Sequence, residues 1–230
     1  WSRGLSVMLE KEFGNNLLSK LRAILLMEAD FNTANKIIFG ERMLNHARKY
    51  GFAYDEIFSE KGRLAEDGAL AKTLFCDISR QLHIPAAIAS VDASNCYDRI
   101  AHAIASLVFR AFGVSANASK TMLSAIQKMK FFLRTAYGDS DKCAQSTVEV
   151  RTQGLCQGNC AAPAGWAVIS IAILGAHKKK GHGAHFLCPI SELKTDLAAI
   201  LYVDDTDIIH LDMSKDESVA DTHAAYKPVS

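Results

Sequence analysis

The stretch "AAILYVDDTDIIHL", residues 198–211, places two adjacent aspartates, Asp204 and Asp205, between two apolar runs. Residues 198–203 are rich in residues that favour strands, and residues 208–211 are apolar again. This pattern predicts a strand, a tight turn and a second strand, with the acidic pair at the tip. Because two like charges at the end of a buried hairpin repel each other, their presence requires a chemical reason.

The composition of the 230-residue chain is that of an ordinary globular protein, with 49% hydrophobic and 22% charged residues. The formal net charge is +1, so the total charge alone predicts no polyanionic partner. No apolar run reaches the roughly 18–20 residues of a membrane span, and the charged opening is unlike a signal peptide. We therefore expect no membrane contact and an intracellular location, in the nucleus or cytoplasm. Because the chain starts with Trp1, we also expect it to be part of a larger polyprotein.

The six cysteines are scattered along the chain, which favours free thiols in a reducing compartment over a disulfide framework. A zinc site is one alternative, because Cys156 and Cys160 offer donors together with His182, His185 and Cys188. Their irregular spacing argues against it.

The order of predicted elements is mixed and favours an α+β architecture, with helices packed on a mostly antiparallel sheet. Residues 15–28 are predicted to be helical or mixed. Residues 130–140 and 146–154 are predicted to form the two strands of a hairpin. An amphipathic helix is predicted to end before Pro85, with its apolar stripe at Leu70, Leu74, Ile78 and Leu82.

A third acid, Asp92, stands far upstream in "AAIASVDASNCYDRI", at the end of another predicted strand. If the two strand ends meet in one sheet, Asp92 converges with Asp204 and Asp205, and the cluster needs a cation to relieve its repulsion. Carboxylate oxygens suit Mg²⁺, and two such ions about 4 Å apart can support in-line phosphoryl transfer. The alternative is a pair of solvated turn residues, against which the flanking Tyr202 and the apolar strands argue.

Three motifs, in this order, resemble those of reverse transcriptases, most closely the enzymes of non-LTR retrotransposons. Residues 92–98 resemble the first palm motif, aspartate-x4-aromatic-aspartate, and residues 202–205 resemble the tyrosine-x-aspartate-aspartate signature. Between them, "GLCQGNCAAP" at residues 154–163 resembles the glycine-x-x-glutamine-glycine…serine-proline motif, with Ala162 in place of the usual serine. The resemblance covers about residues 20–212.

The resemblance implies a role for each acid and for two residues beside them. Asp92, Asp204 and Asp205 would be the catalytic acids and the ligands of two Mg²⁺ ions, for which Mn²⁺ can substitute. Ala93 would line the nucleotide site, with its carbonyl as an extra metal ligand. Tyr97 would lie under the sugar and exclude a 2′-hydroxyl, which selects deoxynucleotides; the alternative is a core aromatic that opens a helix.

The resemblance implies further nucleotide and template contacts elsewhere in the chain. Gln157 and Gly158 would approach the incoming nucleotide, and glycine would let the backbone come close to it. Arg22 would bind the triphosphate, because a guanidinium matches phosphate oxygens; a surface helix position is the alternative. Lys61 and Arg63 would belong to a template-binding loop, with a solvated turn as the alternative.

The implied fold is an α+β, reverse-transcriptase-like fingers and palm, with an antiparallel palm sheet and helices on one face. Residues 1–88 would form the fingers portion and residues 89–230 the palm, with a fingers-side helix and hairpin at about 115–153 and no thumb. The implied reaction is RNA-directed DNA synthesis, with an RNA or DNA template, a primer and deoxynucleoside triphosphates as partners. Two alternatives stay open. One is an RNA-dependent RNA polymerase, against which Tyr97 argues. The other is an inactive or incomplete nucleic-acid-binding fragment, because no glycine-lysine motif follows Asp205.

Overall fold

The chain folds as two compact units, each assembled from two separate stretches of sequence. The computed structural model describes residues 1–15, 17, 20–59, 62–135, 137–188 and 190–212. Unit 1 contains residues 1–52 and 95–169, and unit 2 contains residues 53–94 and 170–230. These boundaries differ from the division predicted at residue 88, because Phe58 and Phe75 pack in one buried cluster with Ile200 and Ile209 and so place residues 53–88 in unit 2.

Helices and strands follow one another in a mixed order along the chain. The strands are β1 (Arg3–Glu10), β2 (Leu21–Leu26), β3 (Ala86–Asp92), β4 (Lys130–Thr135), β5 (Gly138–Ala144), β6 (Ala184–Leu187), β7 (Lys194–Leu197), β8 (Ala199–Tyr202) and β9 (Asp205–Leu211). The α-helices are α1 (Ala29–Asn35), α2 (Leu44–Lys49), α3 (Ala65–Leu82), α4 (His102–Ala111), α5 (Ala116–Lys128) and α6 (Ala162–Lys179). A π-helical segment (Lys36–Met43) joins α1 to α2, and a 3₁₀ turn (Cys96–Arg99) precedes α4. Among the helices of the described residues, none combines the length and apolarity needed to cross a bilayer.

Unit 1 is built on a four-stranded sheet in the order β2-β1-β4-β5. Strand β1 pairs antiparallel with β2 and parallel with β4, so this sheet is not purely antiparallel. The core of the unit is aromatic and aliphatic: Phe39 and Phe109 are 1% and 0% exposed, with ring centroids 5.2 Å apart. Leu155 is also fully buried, which fixes the loop after residue 153 to this core.

Two sequence predictions in unit 1 are wrong. Residues 21–26 form strand β2 rather than a helix, because each of them pairs with a residue of β1. The partner of β4 is β5 rather than residues 146–154. The alternating pattern at 146–154 lacks a buried face, since Val148 and Val150 are 88% and 74% exposed. In contrast, Gly138 of β5 pairs directly with Thr135 of β4.

Unit 2 contains a three-stranded antiparallel sheet in the order β3-β9-β8, as the palm prediction requires. Helix α3 covers one face through Phe75, which packs in a buried cluster with Ile200, Ile209 and Leu211. The apolar ends of the strands are therefore enclosed. The polar strand ends, where Asp92 and Asp205 lie, are exposed rather than covered by this cluster.

The apolar stripe predicted for α3 does not face the core. Leu70, Leu74 and Leu82 are 58%, 51% and 58% exposed, whereas Gly68 and Phe75 are buried. A Cβ atom at Gly68 would lie 3.2 Å from Ile200, so glycine lets the helix approach the sheet closely on that side. One small and one aromatic residue therefore decide the buried face, and the leucine periodicity does not.

Three histidines of unit 2 stack in sequence on the other side of the β-sheet. The ring centroids of His177 and His182 are 4.9 Å apart, and those of His182 and His210 are 5.3 Å apart. Burial lowers the pKa of His177, which a main-chain hydrogen bond with Ile209 partly offsets. Burial also lowers the pKa of His210, which the charge of Asp212 partly offsets. Both shifts favour the neutral form of the ring in the folded state.

Unit 2 is expected to lose stability as the pH falls through the ordinary histidine pKa of 6.5. Because the folded-state pKa values are lowered, the unfolded chain binds protons first; the stabilisation is present above that pKa and is lost below it. Thermal unfolding between pH 8 and 5.5 measures this effect, and His177→Gln is expected to flatten the dependence. An identical pH dependence in the wild type and this variant would contradict the prediction.

Candidate active site

The acidic hairpin has the predicted form, with one refinement. Strands β8 and β9 are joined by two residues, Val203 and Asp204, and the pair Tyr202–Asp205 closes the turn. Val203 has φ = +57°, which is unusual for a β-branched residue. Such a conformation costs about 1–3 kcal/mol and is concentrated at functional sites. Of the two adjacent aspartates, Asp204 lies in the turn, whereas Asp205 is the first residue of β9.

The strand register brings Asp92 and Asp205 together. They are directly opposed partners in the antiparallel pair β3–β9, an arrangement in which side chains share one face and Cβ atoms lie about 4.5–5.5 Å apart. Both residues are exposed. The Ala93 amide donates to the carbonyl of Asp204 at 3.2 Å, which ties the turn to the end of β3. This bond holds the main chain of Asp204 beside the end of β3.

A third aspartate of the same strand face, Asp207, has its own partners. The Lys72 ammonium lies 2.8 Å from its Oδ2 atom, and the Ser90 hydroxyl donates to its Oδ1 atom. Partial burial raises the pKa of Asp207, but the bonds from Lys72 and Ser90 outweigh it, so that the pKa is lowered overall. The negative charge of Asp207 is therefore compensated by Lys72. Asp92 and Asp205 remain as the pair of acids that face each other across the strands.

The donor set at the strand ends fits a magnesium ion. Asp92 and Asp205 supply carboxylate oxygens, and Mg²⁺ is commonly bound through one or two carboxylates together with water and substrate phosphates. Within the described residues, no group of three or more His, Cys, Asp or Glu side chains could hold a metal ion. The strand register directly opposes two of the three predicted acids, Asp92 and Asp205.

In unit 1, residues 154–161 form a loop, called here the Gly–Gln loop, that packs against main chain on two sides. Gly154 has φ = +81°, and a Cβ atom there would lie 2.5 Å from the main chain of Asp98. Gly158 has φ = +110°, and a Cβ atom there would overlap the carbonyl oxygen of Leu25. Both glycines are required by contacts within the protein. For Gly158, the sequence suggests the close approach of a ligand as the reason for glycine.

Gln157 is anchored by both of its main-chain groups. Its carbonyl accepts from the Leu25 amide at 2.7 Å, and its amide donates to Asp98 Oδ1 at 3.2 Å. Burial raises the pKa of Asp98, although the Gln157 amide partly opposes this. Burial and the Asp98 charge also raise the pKa of the Cys156 thiol to about 12. Cys156 is therefore buried in surroundings that disfavour the thiolate, which is the form that binds zinc.

Two asparagines of helix α1, to which the sequence pattern assigns no role, contact the Gly–Gln loop. Asn32 binds the main chain of Gly158 and Cys160, and Asn35 binds the side chain of Asn159. A signal was present in the sequence: Asn32 and Asn35 are three residues apart, which places them on one face of a helix. Their partners lie more than 120 positions away, so the pattern alone could not identify them.

The basic residues predicted to contact nucleotide or template differ in their surroundings. Arg22 is exposed on strand β2, opposite Leu9. Arg63 is held by Asp55, with 2.6 Å between its guanidinium and the carboxylate oxygen, so it is engaged within the protein. Lys61 lies outside the described residues.

Tyr97 is half-buried in the 3₁₀ turn that precedes α4. Its carbonyl accepts from the Leu155 amide at 2.7 Å, which fixes the turn to the Gly–Gln loop. Main-chain bonding therefore sets the position of this turn. The ring is neither fully buried, as a core aromatic would be, nor fully exposed.

Comparisons with known proteins identify the fold. No protein-family model matches the chain, and no curated protein matches it. Telomerase from Candida albicans, in complex with a TWJ fragment of telomeric RNA, superposes with a TM-score of 0.57 at 11% identity, over 98% of this chain and 39% of that chain. Apo telomerase from Candida tropicalis gives 0.56 at 13% identity, over 94% and 39%. The same enzyme truncated from its C-terminal domain gives 0.53 at 15% identity, over 89% and 43%.

These similarities establish a reverse-transcriptase-like fold, because telomerase is a reverse-transcriptase-related enzyme. The predicted α+β fold is confirmed. The chain spans about two fifths of the length of these telomerase structures. At 11–15% identity the likeness concerns the fold alone.

Proposed function

We propose that the chain is the fingers and palm part of a reverse transcriptase of the non-LTR retrotransposon type. The reaction is the template-directed transfer of a nucleotidyl group from a deoxynucleoside triphosphate to a primer 3′-hydroxyl, on an RNA or DNA template. The fold shared with telomerase and the three motifs in their order support this proposal.

The observation that carries the proposal is the direct opposition of Asp92 and Asp205 at the open end of an antiparallel sheet. Like charges directly opposite each other destabilise a sheet, and Val203 adds backbone strain at the same place. A purely structural hairpin would gain from replacing either acid. A site that binds a cation explains both costs.

In unit 2, Asp92 and Asp205 would hold Mg²⁺, and the main-chain bond from Ala93 would keep Asp204 beside them. Bound Mg²⁺ supplies positive charge that stabilises the charge developing on the reacting phosphate. The paired strands hold the two carboxylates in a fixed arrangement, so little reorganisation is needed at the moment of reaction. Lys72 keeps Asp207 from competing for the ion.

In unit 1, Gln157, Gly158 and the exposed Arg22 would bind the incoming nucleotide. The main chain of Gln157 is fixed by Leu25 and Asp98. Its side-chain amide would therefore be the group that adjusts to the bound nucleotide. A guanidinium at Arg22 has the donor geometry for a triphosphate.

The proposal is tested with the purified 230-residue chain, a fluorescent deoxynucleoside triphosphate and a primed RNA or DNA template. We expect Mg²⁺-dependent nucleotide binding and slow addition of single nucleotides at high protein concentration. Asp205→Asn, measured in parallel, reports the background. Binding and incorporation no greater than in this variant would refute the proposal.

Tyr97→Ala is expected to admit ribonucleotides while leaving the use of deoxynucleotides largely intact. The reason is steric: a ring beneath the sugar excludes a 2′-hydroxyl, and alanine leaves room for it. The measurement is the ratio of deoxynucleotide to ribonucleotide incorporation, with a melting curve to establish that the variant is folded. A folded variant with unchanged selectivity would show that Tyr97 does not control sugar choice.

A further inference from the structure

Helix α1 presents two asparagines to the Gly–Gln loop, and the first of them bonds to its main chain twice. Asn32 Oδ1 accepts from the Cys160 amide at 2.7 Å, and Asn32 Nδ2 donates to the Gly158 carbonyl at 3.2 Å. Because an amide nitrogen only donates and a carbonyl only accepts, the orientation of the Asn32 side chain is determined by its partners. One side chain thus bridges two main-chain groups that lie two residues apart.

The second asparagine acts through a buried side chain of the loop itself. Asn35 and Asn159 are 3% and 2% exposed, and Asn35 Nδ2 donates to Asn159 Oδ1 at 3.1 Å. The same oxygen accepts from the Ala161 amide at 3.0 Å, while Asn159 Nδ2 donates to the Leu155 carbonyl at 2.9 Å. Both acceptor positions of the Asn159 oxygen are therefore used, as a buried amide requires.

The loop needs such external bonds because its backbone is in an unusual conformation. Cys156 has φ = +67°, a left-handed conformation that costs a non-glycine residue free energy and persists only when its surroundings hold it. The flanking Gly154 and Gly158, at +81° and +110°, adopt positive φ without that cost. Leu25 and Asp98 fix Gln157 itself. The asparagines fix the residues that follow it.

We infer that Asn32 and Asn35 are positioning residues for nucleotide binding: they hold the Gly–Gln loop so that Gln157 and Gly158 meet the incoming deoxynucleoside triphosphate in one arrangement. This inference rests on the proposed function. Neither asparagine touches the nucleotide in this scheme. Their contribution is that the loop is ordered before the ligand arrives, so that binding does not have to order it.

The experiment compares Asn32→Ala, which removes both bonds, with Asn32→Asp, which keeps the acceptor for the Cys160 amide and loses the donor to Gly158. Thr33→Ala is the matched control, because Thr33 lies on the same helix and its hydroxyl donates to the Ala29 carbonyl of that helix. Amide hydrogen exchange of residues 155–161, the affinity for a fluorescent deoxynucleoside triphosphate and the affinity for template–primer are measured for each purified chain.

We expect Asn32→Ala to speed exchange in the loop and to weaken nucleotide binding, each about tenfold, with template–primer affinity unchanged. Asn32→Asp should also speed exchange and weaken nucleotide binding, because it sets a carboxylate oxygen against the Gly158 carbonyl, and Thr33→Ala should match the wild type. A merely structural role would weaken both affinities together or neither, and either result would overturn the inference. So would unchanged exchange in the loop.

The outcomes also separate this inference from the proposed function. If the wild-type chain binds no nucleotide, the proposed function fails, and the exchange data still decide whether Asn32 holds the loop. If Asn32→Ala does not fold, Asn32→Asp supplies the same comparison, because it changes one donor and keeps the shape of the side chain.

Discussion

Replacing Asp205 with asparagine is expected to lower nucleotide incorporation at least about a hundredfold, the usual cost of removing one electrostatic group from a preorganised site. The same change should make the metal-free protein slightly more stable. Asp205 faces Asp92 directly across the paired strands, so neutralising it removes a repulsion; a rise in melting temperature of about 1–3 °C is expected. Loss of activity with a gain in stability is typical of a residue retained for function.

The matched control for this prediction is Asp141→Asn, which removes one exposed negative charge from strand β5 in the other unit. It should change neither incorporation nor the effect of Mg²⁺ on the melting temperature. In the wild type, Mg²⁺ should raise that temperature by binding the folded state, and Asp205→Asn should abolish most of the rise. An equal Mg²⁺ effect in the wild type and the Asp205 variant would exclude Asp205 as a ligand.

Replacing Gly158 with alanine is expected to cost about 4 kcal/mol or more of the free energy of unfolding, among the larger effects of single substitutions. The new Cβ atom would overlap the Leu25 carbonyl oxygen, and that oxygen belongs to a strand paired along its length with β1. Neither backbone can move without breaking the hydrogen bond between the Leu25 amide and the Gln157 carbonyl. Denaturant titration measures the loss.

Gly138→Ala separates this overlap from the conformational cost of a positive φ. Gly138 has φ = +117°, close to the +110° of Gly158, but nothing lies within 4 Å of a Cβ atom there. Its replacement should cost only the strain of the backbone conformation, about 1–3 kcal/mol. If the two variants lose the same stability, contact with Leu25 is not what requires glycine at position 158.

Several elements could be predicted from the sequence because their signals are local. The apolar runs around Asp204 and Asp205 indicate a hairpin, and the structure has strands β8 and β9 there. Helix α3 ends at Leu82, ahead of Pro85, as predicted. In each case the periodicity, the turn residues or the proline act within a few positions, so that neighbours in sequence are sufficient to identify the element.

The candidate site itself was predicted in part. The sequence by itself determined which residue types stand at the strand ends: an acid in the hairpin turn, an acid next to it and an acid at the end of β3. Only the tertiary structure decided that Asp205, rather than Asp204, faces Asp92, because the register of two strands more than 100 residues apart depends on which residues fill the core between them.

The tertiary structure also decided the buried face of α3 and the supports of the Gly–Gln loop. Gly68 and Phe75 face the core because they fit against the sheet, although leucines follow the helical period on another face. Gly158 must be glycine because of Leu25, and Asn32 has its partners in a loop more than 120 residues later in the chain. Close packing and buried hydrogen bonds are properties of surfaces that meet only in the folded chain, and the pattern of any one segment does not contain them.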